Sequence, residues 1–370
     1  MNMTNCSNNY QSSYRILDLD VSLESDSQEF VELFDRDYGW FRVSSANGRK
    51  RLNISARLRD PKDRFVQTTR TSNQQSTKSL LGHPSPVPYA LQWAVGAIFA
   101  GIEDFMVLHA GVVERNGRAV ILAGPPGVGK TTLVLKLLEN GFTFFSDDFC
   151  PVHRVTRNIH PFPRSVWVVD NRADKGVQTG RKGKSPIRPG QLQSTVLGVP
   201  CSPQCLVCLD QGRDTNPFCE LEIGLKQTGE GQVLKDLRRL EDVTVTNLGT
   251  DLSGWRIRYP AGRGLSPRIR ELLATHKERI WNMYRVDRTL PDFEKDPVLT
   301  PIPTHEAAFS LLRDLKQGPR FLRNVDDRLN APGEFFMELN TLLEGIPCYR
   351  LSVGRLEGMA ELIQQLTIEN

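Results

Sequence analysis

Long apolar runs are missing from the 370 residues: nothing approaches the roughly eighteen consecutive apolar positions of a membrane-spanning helix. No signal peptide is expected in MNMTNCSNNYQSSYRILDLD, which has neither a basic start nor an apolar centre. Charge of one sign is scarce. The 47 Lys and Arg against 43 Asp and Glu leave a net +4, too small an excess to argue for nucleic acid, whose binding surfaces need clustered basic residues. Seven cysteines, an odd number, fit no disulfide framework and suit a reducing compartment. These absences place the expected protein in the cytoplasm, with neither a membrane nor nucleic acid as partner.

What is present is an ordinary globular composition, 39% hydrophobic and 24% charged, in a chain long enough for two or three cores. Residues 1–67 read as a small β-rich N-terminal region: YRILDLDV, WFRVSS and RLNISARL alternate, and Asn47–Gly48 is a hairpin signal between two of them. Residues 68–90, rich in Ser, Thr, Gln and Pro, read as a linker. A core is expected over residues 91–214. It holds the apolar helix LQWAVGAIFAGIEDFM, strands VLHAGVVER and RAVILAG joined at Arg115–Asn116–Gly117, a helix over Thr131–Asn140, the strand FTFFSDD and the buried strand LVCLD. Within it, residues 171–189, glycine-rich and basic, read as a mobile loop. Residues 215–300 change to a strand–helix–strand–strand–helix order and read as an inserted α/β subdomain. Residues 301–370, two helices, the strand CYRLSV and a closing helix, complete the core. There is no internal repeat.

The sharpest motif runs from Gly124 to Thr131. Gly124, Pro125, Pro126, Gly127, Val128, Gly129, Lys130 and Thr131 match G-x-x-x-x-G-K-[ST] in full, between the apolar strand AVILA and a helix. The glycines let successive backbone N–H groups turn inward as an anion-binding nest at a helix N-terminus. Lys130 would reach the β- and γ-phosphates, and the Thr131 hydroxyl would ligate Mg²⁺. With Thr132, these are the expected nucleotide-binding residues, and ATP and Mg²⁺ the expected cofactors.

Seventeen residues after Lys130 stands an aspartate pair, Asp147 and Asp148. A helix of about ten residues covers roughly 15 Å, and the strand after it must return across the sheet. Its C-terminal end therefore arrives at the carboxyl edge, where open α/β sheets place their chemistry. Adjacent carboxylates point in different directions. One is suited to holding Mg²⁺, and the other to taking the proton of an attacking hydroxyl.

In this order and spacing, LHAGVV (108–113), GPPGVGKT, an ENGF helix end and SDD resemble the core of HPr kinase/phosphorylase, and in particular the HPr kinase-related serine kinases of bacterial gene clusters. The resemblance extends to PFPRS (161–165), RKGKSPIRP (181–189) and the C-terminal helix–CYRLSV–helix ending, over roughly residues 90–210 and 300–370. Phosphoenolpyruvate carboxykinase shares the local arrangement of loop, aspartates and histidine. The implied fold class is α/β: a P-loop core of the HPr kinase/phosphoenolpyruvate carboxykinase type, with the β-rich N-terminal region and the α/β insertion added. By position, the resemblance implies Asp147 as general base, Asp148 as metal-linked carboxylate, and His109 near the phosphates or the metal. Arg164, Lys182, Lys184 and Arg188 are candidates to neutralise phosphate charge. The RGLG-type segment of true HPr kinases, where a glutamate adds to the metal site, is absent. The implied activity is therefore ATP-dependent phosphorylation of a Ser or Thr hydroxyl on another small protein or peptide, with homo-oligomerisation left open.

Two further signals compete. Cys201, Cys205 and Cys208 have the spacing of a radical-SAM iron–sulfur site, but on a strand residues three apart face opposite sides. GPPGVGKT is also common in AAA-type ATPases, whose acidic strand ends in Asp-Glu. LVCLD is followed by Gln211 instead, so an AAA-type or regulatory ATPase without a phosphoacceptor is the alternative.

Overall fold

The computed structural model describes residues 9–45, 48, 50–60, 64–71, 75–81, 86–125, 127–169, 184–192, 198–210, 218–225, 230–248, 254–260, 265–286, 293–317 and 332–368. Contacts divide the chain into two compact units, Met1–Asp210 with Asp292–Asn370, and Gln211–Pro291. The architecture is mixed α/β with several sheets.

The first unit opens with β1 (Tyr10–Ile16), β2 (Leu19–Ser25), α1 (Gln28–Tyr38), β3 (Arg42–Val43), β4 (Arg51–Asp60), β5 (Arg64–Arg70), β6 (Gln75–Leu81) and α2 (Pro86–Gly101). The strands form one sheet in the order β3-β1-β2-β4-β5-β6. Tyr14, Ile16, Val21, Leu52, Ile54 and Ala56 are buried, as are Phe30, Phe34 and Tyr38 on α1 and Ala94, Ile98 and Phe99 on α2. Ser27 caps α1 by accepting from the Phe30 backbone N–H at 3.3 Å.

Two expectations fail here. No hairpin joins β3 to β4 among the described residues: β3 pairs with β1, and β4 runs parallel to β2. Asn47 itself lies outside them. The 68–90 stretch is also not a linker, since it carries the end of β5, all of β6 and the start of α2. Gln75, Ser76 and Thr77 are exposed on β6, and Thr68 and Thr77 face each other with hydroxyls 3.2 Å apart.

The chain continues through β7 (Phe105–Leu108), β8 (Ala110–Arg115), β9 (Arg118–Ala123), α3 (Lys130–Glu139), β10 (Thr143–Ser146), β11 (Cys150–His153), β12 (Val166–Val169), β13 (Lys184–Ile187) and β14 (Ser202–Asp210). The second unit supplies β15 (Phe218–Leu225), α4 (Glu230–Arg238), β16 (Thr244–Asn247), β17 (Gly254–Pro260), α5 (Leu265–Thr275) and β18 (Ile280–Val286). The first unit then resumes with β19 (Leu299–Pro301), α6 (Thr304–Gln317), α7 (Pro332–Leu343), β20 (Cys348–Ser352) and α8 (Leu356–Ile368).

The central sheet has the order β10-β8-β9-β14-β20-β19. β14 runs parallel to both β9 and β20, whereas β8 is antiparallel to β9, and β10 to β8. Two reversals leave β10 pointing the same way as β9, so both strands end at the same edge. On one face, Leu133, Val134 and Leu137 of α3 and Met359, Ala360 and Ile363 of α8 cluster with Val120, Leu122, Val207 and Leu351. Ile121, Leu206 and Cys208 alternate with these and face the other way. Cys205 and Cys208 are both buried strand residues on opposite faces, which removes them as joint cluster ligands.

VLHAGVVER, expected as one strand, is two. It bends at His109, after which β7 leaves the central sheet to pair with β11 (Cys150↔Leu108, His153↔Phe105). β10 and β11 break in the same place, at Asp147–Phe149. Two adjacent strand pairs thus change sheet side by side, and the site is built on that corner.

The second unit is β15-α4-β16-β17-α5-β18 with antiparallel order β16-β17-β15-β18, a ferredoxin-like topology. Leu221, Ile223 and Leu225 of β15 alternate onto the same core as Trp255, Ile257 and Tyr259 of β17, under Val233, Leu237, Ile269 and Leu273 of the helices. On the other sheet face, Arg256 pairs with Glu222 at 2.5 Å.

Candidate functional site

β9 ends at Ala123, and the glycine motif bridges it to α3. Gly124, Gly127 and Gly129 have φ of +152°, +87° and +100°. A Cβ on Gly124 would lie 3.1 Å from the Leu209 carbonyl oxygen of β14, so only glycine lets the loop leave the sheet here. Val128 is fully buried and anchors the loop from below. No side chain caps α3, whose first turn begins at Lys130 directly after Gly129. An uncapped helix head presents its first N–H groups and the positive end of its dipole to an anion.

Lys130 is buried, and its Nζ donates to the carbonyl oxygens of Gly124 (2.6 Å) and Pro125 (3.2 Å). The cation is therefore held over the loop. Thr131 Oγ1 donates to Asp147 Oδ2 at 2.9 Å. Asp147 is almost fully buried, while Asp148 is half-buried beside it. Gly111 on β8 permits this closeness: a Cβ there would meet Val134 Cγ2 at 2.8 Å and the Asp147 carbonyl oxygen at 3.2 Å.

His109, at the bend between β7 and β8, completes the corner. It is 5% exposed, and its Nδ1 has no hydrogen-bond partner among the described residues. Burial pushes its pKa down to about 3, the Lys130 charge acts in the same direction, and Asp148 opposes both. Burial and the Lys130 charge both favour the neutral imidazole.

The Arg164 guanidinium stacks over the rings of Tyr38 (4.9 Å) and Phe149 (4.8 Å) and pairs with Asp37 at 3.2 Å. Burial works against its charge, but the neighbouring Tyr38, Asp37 and Asp148 outweigh it and raise the pKa. Arg164 thus ties Asp37 of α1 to Phe149 beside the aspartate pair. Asp37, on α1, is a member of this set that sequence reading missed; its partner is 127 residues away, and no local pattern announces such a pair.

Of the remaining expected contacts, Thr132 is exposed on the first turn of α3, and Arg188 is exposed with its backbone N–H held by Gln191 Oε1 at 2.9 Å. Lys184 opens β13 opposite Val169, but its side chain lies outside the described residues, as do Pro126 and Lys182.

Among the described residues, no group of three or more His, Cys, Asp and Glu side chains could hold a metal. Thr131 Oγ1 and Asp147 Oδ2 are instead a pair of hard oxygens beside a cationic loop. That donor set suits Mg²⁺, which keeps several waters and shares its shell with phosphate oxygens. Among the described residues, no helix is long and apolar enough to cross a membrane.

No family model and no curated protein matches the chain. Among solved structures, the Hpr(Ser) kinase/phosphatase from Coxiella burnetii aligns over 47% of this chain and 91% of its own, at 15% identity and a TM-score of 0.22. At that score the likeness establishes neither fold nor activity for this protein.

Proposed function

We propose that the protein is an ATP- and Mg²⁺-dependent kinase that transfers the γ-phosphoryl group to a Ser or Thr hydroxyl of a small protein or peptide. One observation carries this reading: Thr131, the residue after the loop lysine, is hydrogen-bonded to Asp147 at 2.9 Å, with a second carboxylate next in sequence. That junction unites a phosphate cradle, a metal-type oxygen pair and a candidate base.

The hydrogen bond also redistributes the roles implied by the family resemblance. In phosphate-loop enzymes the metal is held by the loop Ser/Thr and a strand-end Asp. Here the carboxylate touching Thr131 is Asp147, so we assign Asp147 to the metal and the more exposed Asp148 to the proton. Bound Mg²⁺ would neutralise charge developing on the phosphate oxygens. Lys130 and the α3 head would hold the phosphates. Asp148 would accept the hydroxyl proton as the acceptor oxygen bonds to the γ-phosphorus and ADP leaves with the bridging oxygen. The burial of His109 beside Lys130 favours its neutral form.

The alternative is an AAA-type or regulatory ATPase without a phosphoacceptor; the AAA-type form would use Asp210 as its acidic strand end. That residue lies 3.6 Å from Arg350 at the surface. Incubation with γ-labelled ATP and cell extract separates the classes: label on a protein or peptide is expected, whereas free phosphate alone would indicate the ATPase. Asp148→Asn should lower transfer by roughly 10²–10⁴-fold with nucleotide affinity retained. Asp147→Asn should raise the Mg²⁺ concentration needed. Wild-type turnover in Asp148→Asn would overturn its assignment.

A further inference from the structure

The chain returns to the first unit through a strap, residues 293–298, that is fastened at several points. The Lys295 carbonyl accepts from the Arg355 N–H at 2.7 Å, and Asp296 pairs with the Arg355 side chain. The Val298 N–H donates to Ser352 Oγ at 2.7 Å, and the Ser352 N–H donates back to the Val298 carbonyl at 2.9 Å. A Cβ on Gly354 would lie 2.7 Å from the Pro297 nitrogen, and one on Gly358 would lie 3.0 Å from Pro297 Cγ. Glycines at both positions let the strap lie directly on the start of α8, and its path is set by packing.

Phe293 stands at the head of this strap. Its ring reaches the phosphate loop, with Cζ 3.5 Å and Cε1 3.7 Å from where a Cβ on Gly129 would sit. Yet Phe293 is 37% exposed, a large apolar side chain followed in sequence by Glu294, Lys295 and Asp296. A phenyl group recruited to the core would be buried. This one rests an edge on the residue that begins the phosphate-holding helix and leaves the remainder open to solvent.

We propose that Phe293 is the stacking platform for the base of the bound nucleoside triphosphate. The inference rests on the phosphate-loop reading of residues 124–131 and adds the second half of the ligand. The triphosphate engages the loop amides and Lys130, and the attached nucleoside lies against the exposed ring. Stacking on an aromatic face is worth roughly 1–3 kcal/mol per base and tolerates every base. The platform therefore supplies affinity without reading base edges, and ATP and GTP should depend on it alike.

The test compares ATP, GTP and inorganic tripolyphosphate binding to the full chain in wild type, Phe293→Ala and Phe293→Trp. Phe293→Ala should weaken ATP and GTP about tenfold, by the stacking energy, and leave tripolyphosphate unchanged. Phe293→Trp should retain affinity, and its fluorescence should respond to ATP but not to tripolyphosphate. Unchanged ATP affinity in Phe293→Ala overturns the proposal. So does equal weakening of all three ligands, which would make Phe293 a prop for the loop. So does equal tightening, which would make it an obstruction. If wild type binds neither ATP nor tripolyphosphate, the loop reading itself fails, which is a separate and recognisable result.

Discussion

Arg164 keeps its charge where few charges survive: 14% exposed, between two aromatic rings, with Asp37 as its ion partner. Removing one partner of such a pair leaves an uncompensated charge in a low-dielectric setting. Asp37→Ala should therefore cost about 3 kcal/mol in urea denaturation, and Asp37→Ala with Arg164→Met should recover part of that loss. An unchanged urea midpoint would show that Tyr38 and Phe149 suffice to hold the cation. Residues that act through their immediate neighbours in the chain, such as Gly129, Lys130 and Thr131, are legible from the motif, because the loop's backbone geometry is local. Asp37 and Phe293 are not, because their meaning depends on partners more than a hundred residues distant.

At the scale of elements, the decisive event is the paired bend at His109 and Asp147–Phe149. Sequence patterning finds the strands on either side but reads 107–115 as continuous, since every residue there is compatible with an extended chain. Only the exchange of partners, β8 with β10 and β7 with β11, exposes the corner. Gly111 is the local trace of it. Gly111→Ala would press a methyl group into Val134 and the Asp147 carbonyl, and overpacking of this kind costs about 1–3 kcal/mol. The thermal midpoint should fall accordingly, and the proposed Mg²⁺-supported nucleotide binding should weaken with it. Gly141→Ala, with nothing within 4 Å, tests the backbone effect alone at its φ of +84°. The missed hairpin and the misread linker have one cause. Alternation and composition report which residues lie on exposed or half-buried strands, but not which strands pair, and the parallel β2–β4 contact needs the crossover through α1.

For the molecule as a whole, the second unit has a core of its own, built from Leu221, Ile223, Trp255, Ile257 and Tyr259 with α4 and α5. Its element order is visible in the sequence because period-two strands and period-3.6 helices alternate cleanly there. Ile257 is fully buried, so Ile257→Ala should destabilise this unit by about 2–5 kcal/mol. Calorimetry should show one transition lowered and a second unchanged; a single shifted transition would show that the two units melt as one.

The grip of β20 on both cut ends of the first unit has a practical corollary. Consecutive backbone amides, Ser352 and Val353, hold Val298, a few residues into the returning strap, and Asp210, the last residue before the excursion. The two stumps are thus already neighbours on one scaffold strand. A shortened chain that bypasses the ferredoxin-like module would have only a small gap to span, at little cost in closure entropy. Such a chain, joined at Val298 and so lacking Phe293, would test whether the glycine loop and the corner alone support the proposed nucleotide binding.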